Sequence, residues 1–291
     1  MFSLVLFCSV LNCFNYCFIK KGEKEMKKKT SLILIMSLLI FILSGCTNNN
    51  FSENEGKNKA KDITITLAAA ASLKNCMDDK LIPMFNEKYP NIKVQATYDS
   101  SGKLQSQIEE GADIDVFMSA AKKQMNALNE KGLIEEDSIN ELLENKVVLI
   151  VPKNSDKEIK TFEDIVKSDK IAIGDPASVP AGQYAKELFE NLKIWDEVSL
   201  KASLGTNVTE VLNWVAEASA DAGVVYSTDA SSNDKVKVVL EAPEGSVSKV
   251  IYPVGIIRNS KNKESAKSFV DFLKSDEAIK VFEYYGFSDN K

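Results

Sequence analysis

The stretch GDPASVPAGQYAKELFE, Gly174 to Glu190, carries the chain from a short apolar strand, Ile171 to Ile173, into an amphipathic helix, Gly182 to Asn191. Its turn, Val179-Pro180-Ala181-Gly182, holds no side chain able to act as an acid, a base, a nucleophile or a metal ligand. A strand feeding a constrained turn and then a helix is the repeating unit of an α/β fold. The same alternation runs along the chain from Asp62 onward.

Upstream, strands are expected at Ile63–Ala69, Ile92–Tyr98 and Val116–Met118, and helices at Leu73–Tyr89, Lys103–Glu110 and Lys122–Asn129. Pro90, Gly111 and Gly132 stand where these helices should stop. A second set follows, with strands Lys146–Val151, Ile171–Ile173, Lys201–Ala202, Ala222–Val225 and Val236–Leu240. Its helices are Thr161–Val166, Gly182–Asn191 and Val208–Ala218. Tyr252–Ile257 is a further strand, and helices Lys263–Lys274 and Asp276–Tyr285 close the chain. Two α/β units predict two lobes with a ligand cleft between them, at the carboxyl ends of the strands.

Composition removes several function classes. The chain of 291 residues contains no histidine, so a Ser-His-Asp triad, a Cys-His pair and a His-based zinc site are all impossible. Its 42 acidic residues outnumber 36 basic ones, so no basic excess points to nucleic acid. Four of the five cysteines, Cys8, Cys13, Cys17 and Cys46, precede the folded part. Cys76 alone remains, and it reads as a small apolar residue on a helix.

The N-terminus reads as an address. Lys27, Lys28 and Lys29 precede an apolar run from Leu32 to Leu43, too short to span a bilayer that takes roughly 20 helical residues. Residues 26–45 are therefore expected to be a signal peptide. Leu43-Ser44-Gly45-Cys46 resembles the lipobox of bacterial lipoproteins, which implies acylation of Cys46 and a lipid-anchored chain on the outer face of a membrane. Residues 46–61 then form a polar, flexible tether. Lys21-Gly22-Glu23 is what a purine-rich ribosome-binding site, read in frame, would encode. Met26 is thus the expected start, with residues 1–25 lying before it.

The strand-to-helix junctions share one chemistry. Ala70-Ala71-Ser72-Leu73, Ser100-Ser101-Gly102-Lys103, Val179-Pro180-Ala181-Gly182 and Thr206-Asn207-Val208-Thr209 are small and, apart from Lys103, neutral. The first N–H groups of a helix lack internal partners and sit at the positive end of its dipole, so such junctions can bind an anion without a cationic side chain. Taken singly, Ser72, Ser101 and Asn207 read equally well as helix caps. Tyr226, at the end of its strand, offers a phenolic donor.

On these residues the chain resembles the molybdate-binding proteins of bacterial molybdate ABC importers. The resemblance lies in AAASL (Ala69–Leu73), SSGKLQSQIEEGADIDVFMSA (Ser100–Ala120), GDPASVPAGQYAKE (Gly174–Glu187), GVVYSTDA (Gly223–Ala230), YPVG (Tyr252–Gly255) and YYGF (Tyr284–Phe287). It implies a two-lobe type II periplasmic-binding-protein fold, with residues 62–144 and 251–291 in lobe I and residues 145–250 in lobe II. The implied ligand is molybdate or tungstate, with molybdenum held only as its oxyanion and no cofactor. The implied contacts are Ser72 and Ser101 through hydroxyl and amide, Ala181 and Val208 through backbone N–H, and Tyr226 through its hydroxyl. The implied partner is an ABC permease with its cytoplasmic ATPase, met by a monomer. Asp99 departs from the family's small neutral residue, so its carboxylate is expected to point away from the ligand.

The same residues admit two other readings. Ser100-Ser101-Gly102-Lys103 fits the S-x-x-K pattern of serine acylases, but S-D-N and K-T-G are absent, so no enzyme is expected. A binding protein for another tetrahedral oxyanion, such as sulfate, is the alternative that sequence leaves open.

Overall fold

The computed structural model describes residues 62–291; the expectations for Met26, the signal peptide and Cys46 fall outside the described residues. Two mixed sheets organise the chain. The first contains β1 (Ile63–Ala70), β2 (Ile92–Asp99), β3 (Val116–Met118), β4 (Asn140–Asn145), β10 (Val250–Ile256) and β11 (Ser288–Asp289), in the order β11-β4-β10-β3-β1-β2. The second contains β5 (Val147–Pro152), β6 (Ile171–Gly174), β7 (Ala202–Gly205), β8 (Ala222–Tyr226) and β9 (Val236–Glu241), in the order β7-β6-β8-β5-β9. The chain crosses between sheets at Asn145-Lys146-Val147 and returns between Glu241 and Val250.

Helices α1 (residues 71–88), α2 (Ser101–Glu109) and α3 (Lys122–Glu130) follow β1, β2 and β3. Within α1 a π-turn over Met77–Leu81 interrupts the α-helical hydrogen bonding. In the second lobe, α4 (Pro180–Asn191) and α5 (Trp195–Lys201) lie between β6 and β7, α6 (Val208–Ala216) follows β7, and α7 (Ser227–Ser231) follows β8. Helices α8 (Lys263–Leu273) and α9 (Asp276–Tyr284) complete the fold.

Burial follows strand position. Every residue of β6 and β8 is buried, as befits strands covered on both faces, whereas β2 at a sheet edge alternates with solvent. Several elements differ from the sequence expectation, among them α7 and β11, which it does not place. Strand β4 has the sequence NELLEN, whose adjacent leucines break the period of two that marks a strand. Helix α5 carries WDEVSLK, and Lys201, expected to open a strand, instead ends this helix. The helix expected over Thr161–Val166 is a single 3-10 segment, Glu163–Lys167.

Close approach explains one glycine. A Cβ on Gly182 would lie 1.9 Å from the carbonyl oxygen of Gly174, so α4 presses directly on the end of its own strand. Glycine is needed there for packing.

Asp229 in α7 is buried and its Oδ2 accepts the Tyr226 N–H at 3.2 Å. Burial pushes its carboxyl up from an ordinary 3.8 to about 7. The folded chain therefore holds this proton more tightly than the unfolded chain does. Its contribution to stability is complete below about pH 4 and is lost as pH rises through about 7. Asp229→Asn should melt higher than the wild type at pH 8, with the advantage shrinking toward pH 4; a gap independent of pH would contradict this.

Candidate functional site

Strand register brings the four helix starts together in pairs. In the first sheet Ala70 lies opposite Asp99, and in the second Gly174 lies opposite Gly205, so β1 and β2, and likewise β6 and β7, end side by side. The helices that follow these strands therefore start next to each other, two in each lobe.

The first turn of α2 has a full set of donors to place. Ser100 N–H donates to Asp99 Oδ1 (2.7 Å), Gly102 N–H to the Ser178 carbonyl (2.9 Å) and Lys103 N–H to Ser100 Oγ (3.4 Å). Leu104 N–H donates to the Ser100 carbonyl (3.1 Å), which leaves the Ser101 N–H without an acceptor among the described residues. Ser101 Oγ accepts the Ala120 N–H at 3.0 Å, so its own hydrogen remains free to donate. The cap is Ser100; Ser101 is the first helical residue and is fully buried.

The second lobe repeats the arrangement with backbone alone. Pro180 has no N–H, Val179 supplies no capping side chain, and Gln183 N–H donates to the Val179 carbonyl at 3.0 Å. The Ala181 N–H, buried at the start of α4, has no acceptor among the described residues. In α6 the Asn207 side chain caps Glu210 N–H at 3.0 Å, and the Val208 N–H likewise has no acceptor. Asp175 braces the turn before α4: its side chain accepts Ala177 N–H at 2.9 Å, and its carbonyl accepts Ser178 and Val179 N–H.

Two hydroxyls complete the set. Ser72 caps nothing; its Oγ lies 2.9 Å from Tyr252 Oη. Tyr226 is buried, with its Oη 3.5 Å from the Ala120 carbonyl, too long to commit the proton firmly. Burial drives its phenol well above the ordinary pKa, so it stays an O–H donor at any physiological pH.

Ser72, Ser101, Ala181, Val208 and Tyr226 all line one small cleft between the lobes, with a cavity of only about 10 Å³. No lysine or arginine lines it. Asp99 does border it, but its Oδ1 is turned to the Ser100 N–H and to Lys103 Nζ at 3.4 Å, and the side chain is 28% exposed. Asp99 therefore borders the cavity, with one carboxylate oxygen engaged by the Ser100 N–H and by Lys103.

The lobes meet directly around this cavity. Besides the Gly102–Ser178 hydrogen bond, Gln124 Nε2 in lobe I donates to Gln183 Oε1 in lobe II at 3.3 Å. Residues that the sequence reading passed over also contribute: Ala120 positions Ser101, and Tyr252 with Asn145 positions Ser72. The YPVG match included Tyr252 but gave it no role.

The family model for bacterial extracellular solute-binding proteins matches residues 65–288. The chain belongs to this family. Among curated relatives of this solute-binding protein, YvgL of Bacillus subtilis, assigned as an ABC transporter substrate-binding lipoprotein, is 40% identical over 90% of this chain and 99% of its own. The molybdate-binding protein ModA of Haemophilus influenzae is 37% identical over 79% of this chain and 91% of its own. A solved substrate-binding domain assigned to a molybdenum ABC transporter of Clostridium difficile is 40% identical, with a TM-score of 0.62, covering 79% of this chain and all of that one. These relatives are binding proteins, and the two-lobe periplasmic-binding-protein architecture expected from the sequence matches that of solved periplasmic binding proteins.

Gly102 makes lobe contact possible. A Cβ there would lie 2.4 Å from the Ser178 carbonyl oxygen and 2.7 Å from its Cα, both backbone atoms that cannot move aside cheaply. Gly102→Ala is expected to keep the lobes from closing. In small-angle X-ray scattering with excess molybdate, the variant should retain the larger radius of gyration of ligand-free protein; a compaction equal to the wild type's would contradict this.

Proposed function

We propose that this extracytoplasmic solute-binding protein captures molybdate, and with it tungstate, and delivers the ion to an ABC permease driven by a cytoplasmic ATPase. The observation that carries the reading is the convergence on one cavity of two hydroxyl-bearing helix starts from lobe I and two bare N–H groups from lobe II, with Tyr226 beside them. Similarity to molybdate-binding relatives supports it.

The chemistry fits the ion. Molybdate near neutral pH is a dianion with acceptor oxygens only, so donors alone can satisfy it. Burying it without them would be prohibitive. Hydrogen bonds to a charged acceptor contribute about 1.5 to 3 kcal/mol each, so several can offset desolvation. Phosphate near neutral pH keeps at least one O–H, which would face another donor. No residue of the cavity is arranged as a nucleophile beside a base, and with no histidine in the chain the binding role is preferred over an enzymatic one.

On this reading Ser72 and Ser101 contribute hydroxyl and amide, Ala181 and Val208 contribute N–H, and Tyr226 contributes its hydroxyl. Lobe I comprises residues 62–144 and 251–291, and lobe II residues 145–250, a division supported by sheet membership except that Asn145 and Val250 stand at the ends of strands of the first sheet. Cys46 anchors the monomer to the membrane by lipid, with residues 46–61 as tether; the lipoprotein relative in Bacillus subtilis supports that anchor.

Thermal shift with a panel of oxyanions tests the proposal, because only a ligand that binds the folded state raises the melting point. Molybdate and tungstate should stabilise strongly and phosphate should not. Ser101→Ala should weaken molybdate binding by about one to two orders of magnitude, from loss of one charged hydrogen bond. A sulfate response exceeding molybdate's, or an unchanged Ser101→Ala, would contradict it.

A further inference from the structure

Behind Ser72 runs a buried chain of hydrogen bonds that begins at the crossing between the lobes. Asn145, the last residue of β4, donates from Nδ2 to Thr228 Oγ1 at 2.9 Å and to Tyr252 Oη at 3.2 Å. Its Oδ1 accepts the Lys146 N–H at 2.8 Å. That last bond fixes the amide: oxygen toward the backbone, both N–H groups toward Thr228 and Tyr252.

The direction of the remaining bonds follows. Tyr252 Oη accepts from Asn145, so its single hydrogen is available for Ser72 Oγ at 2.9 Å. The distance permits either hydroxyl to donate, and Tyr252 has no other acceptor for its hydrogen among the described residues; the assignment that satisfies both makes Ser72 Oγ the acceptor and leaves its own hydrogen to point elsewhere. Ser72 lines the cavity. Tyr252 is fully buried, and burial keeps it a phenol, so it cannot switch to a pure acceptor by ionising. Ser101 is set in the same sense by the Ala120 N–H, which donates to its Oγ.

We propose that Tyr252, oriented by Asn145, is a positioning residue that fixes Ser72 as a donor toward the cavity and so contributes to the exclusion of anions that carry a proton. The inference rests on the oxyanion reading above. A free serine hydroxyl can accept from a ligand O–H through either lone pair; one whose oxygen already accepts from Tyr252 has a single lone pair left and uses it only by turning its hydrogen away from the cavity. Discrimination against a protonated anion is therefore a property of the second layer of residues as well as of those facing the ligand.

Tyr252→Phe removes the donor to Ser72 while keeping the ring that packs against Tyr226 and Phe287. Calorimetry at pH 7 with molybdate and with inorganic phosphate gives the ratio of affinities. Tyr252→Phe should narrow the molybdate-over-phosphate ratio by about tenfold, the scale of one hydrogen bond. In a Ser72→Ala background the same substitution should leave the ratio unchanged, because the group it orients is gone. A purely structural role for Tyr252 would weaken both anions alike and keep the ratio, which would overturn the inference, as would an equal narrowing in the Ser72→Ala background. Failure of the wild type to bind molybdate would instead remove the oxyanion reading itself. Melting curves of each variant separate loss of fold from loss of selectivity.

Discussion

The site depends on backbone N–H groups that the fold cannot satisfy. A helix leaves its first donors without internal partners, and a parallel β-strand feeding a helix delivers those donors to the carboxyl edge of the sheet. Here the pairing of Ala70 with Asp99 and of Gly174 with Gly205 sets two such helix starts side by side in each lobe. Neighbouring groups then take up most of the exposed donors. Ser100, Asn207 and the carbonyls of Val179 and Ser178 are those acceptors, and among the described residues the N–H groups of Ser101, Ala181 and Val208 stay free at the cavity wall. The selection is made by capping, since each cap removes one donor from the set available to a ligand.

Neutrality matters as much as donation. A lysine or arginine in the cavity would bind many anions strongly through long-range charge, whereas fixed N–H and O–H groups act only over hydrogen-bond distance. Geometry and protonation state of the ligand then decide binding. The orientation of Ser72 through Tyr252 and Asn145 belongs to the same logic, because a hydroxyl discriminates only if its direction is fixed. Lobe closure adds a second requirement. On the proposed reading, donors from both lobes are satisfied by one ion only when the lobes meet, so the ligand favours the closed form by its differential affinity. Gly102 and Gly182 allow the two close approaches this needs, one between lobes and one between α4 and its own strand.

Much of this was legible in the sequence. Strand and helix alternation gave the α/β class, and small, mostly neutral junctions marked all four helix starts that surround the cavity. The five expected residues, Ser72, Ser101, Ala181, Val208 and Tyr226, lie along it. What stayed hidden depends on contacts between distant segments. Ser101 could be taken for a cap because the sequence SSGK offers two adjacent serines, and only the structure shows that Ser100 caps while Ser101 is held by Ala120, far along the chain. The constraint on Gly182 comes from the carbonyl of Gly174, at the end of the strand that precedes its helix. Asn145 and Tyr252 carry no local signal for their joint action. Strand β4 escaped because burial of Leu142 and Leu143 comes from packing and not from a period of two.

The central claim is that free backbone donors of both lobes close on a single dianion. Amide resonances of the nitrogen-15-labelled chain titrated with molybdate test it most directly. Ser101 from lobe I and Ala181 and Val208 from lobe II should shift downfield together, at one stoichiometric equivalent, as their N–H groups acquire an acceptor. Shifts confined to the amides of one lobe, or none at these three positions while molybdate binds, would contradict the account.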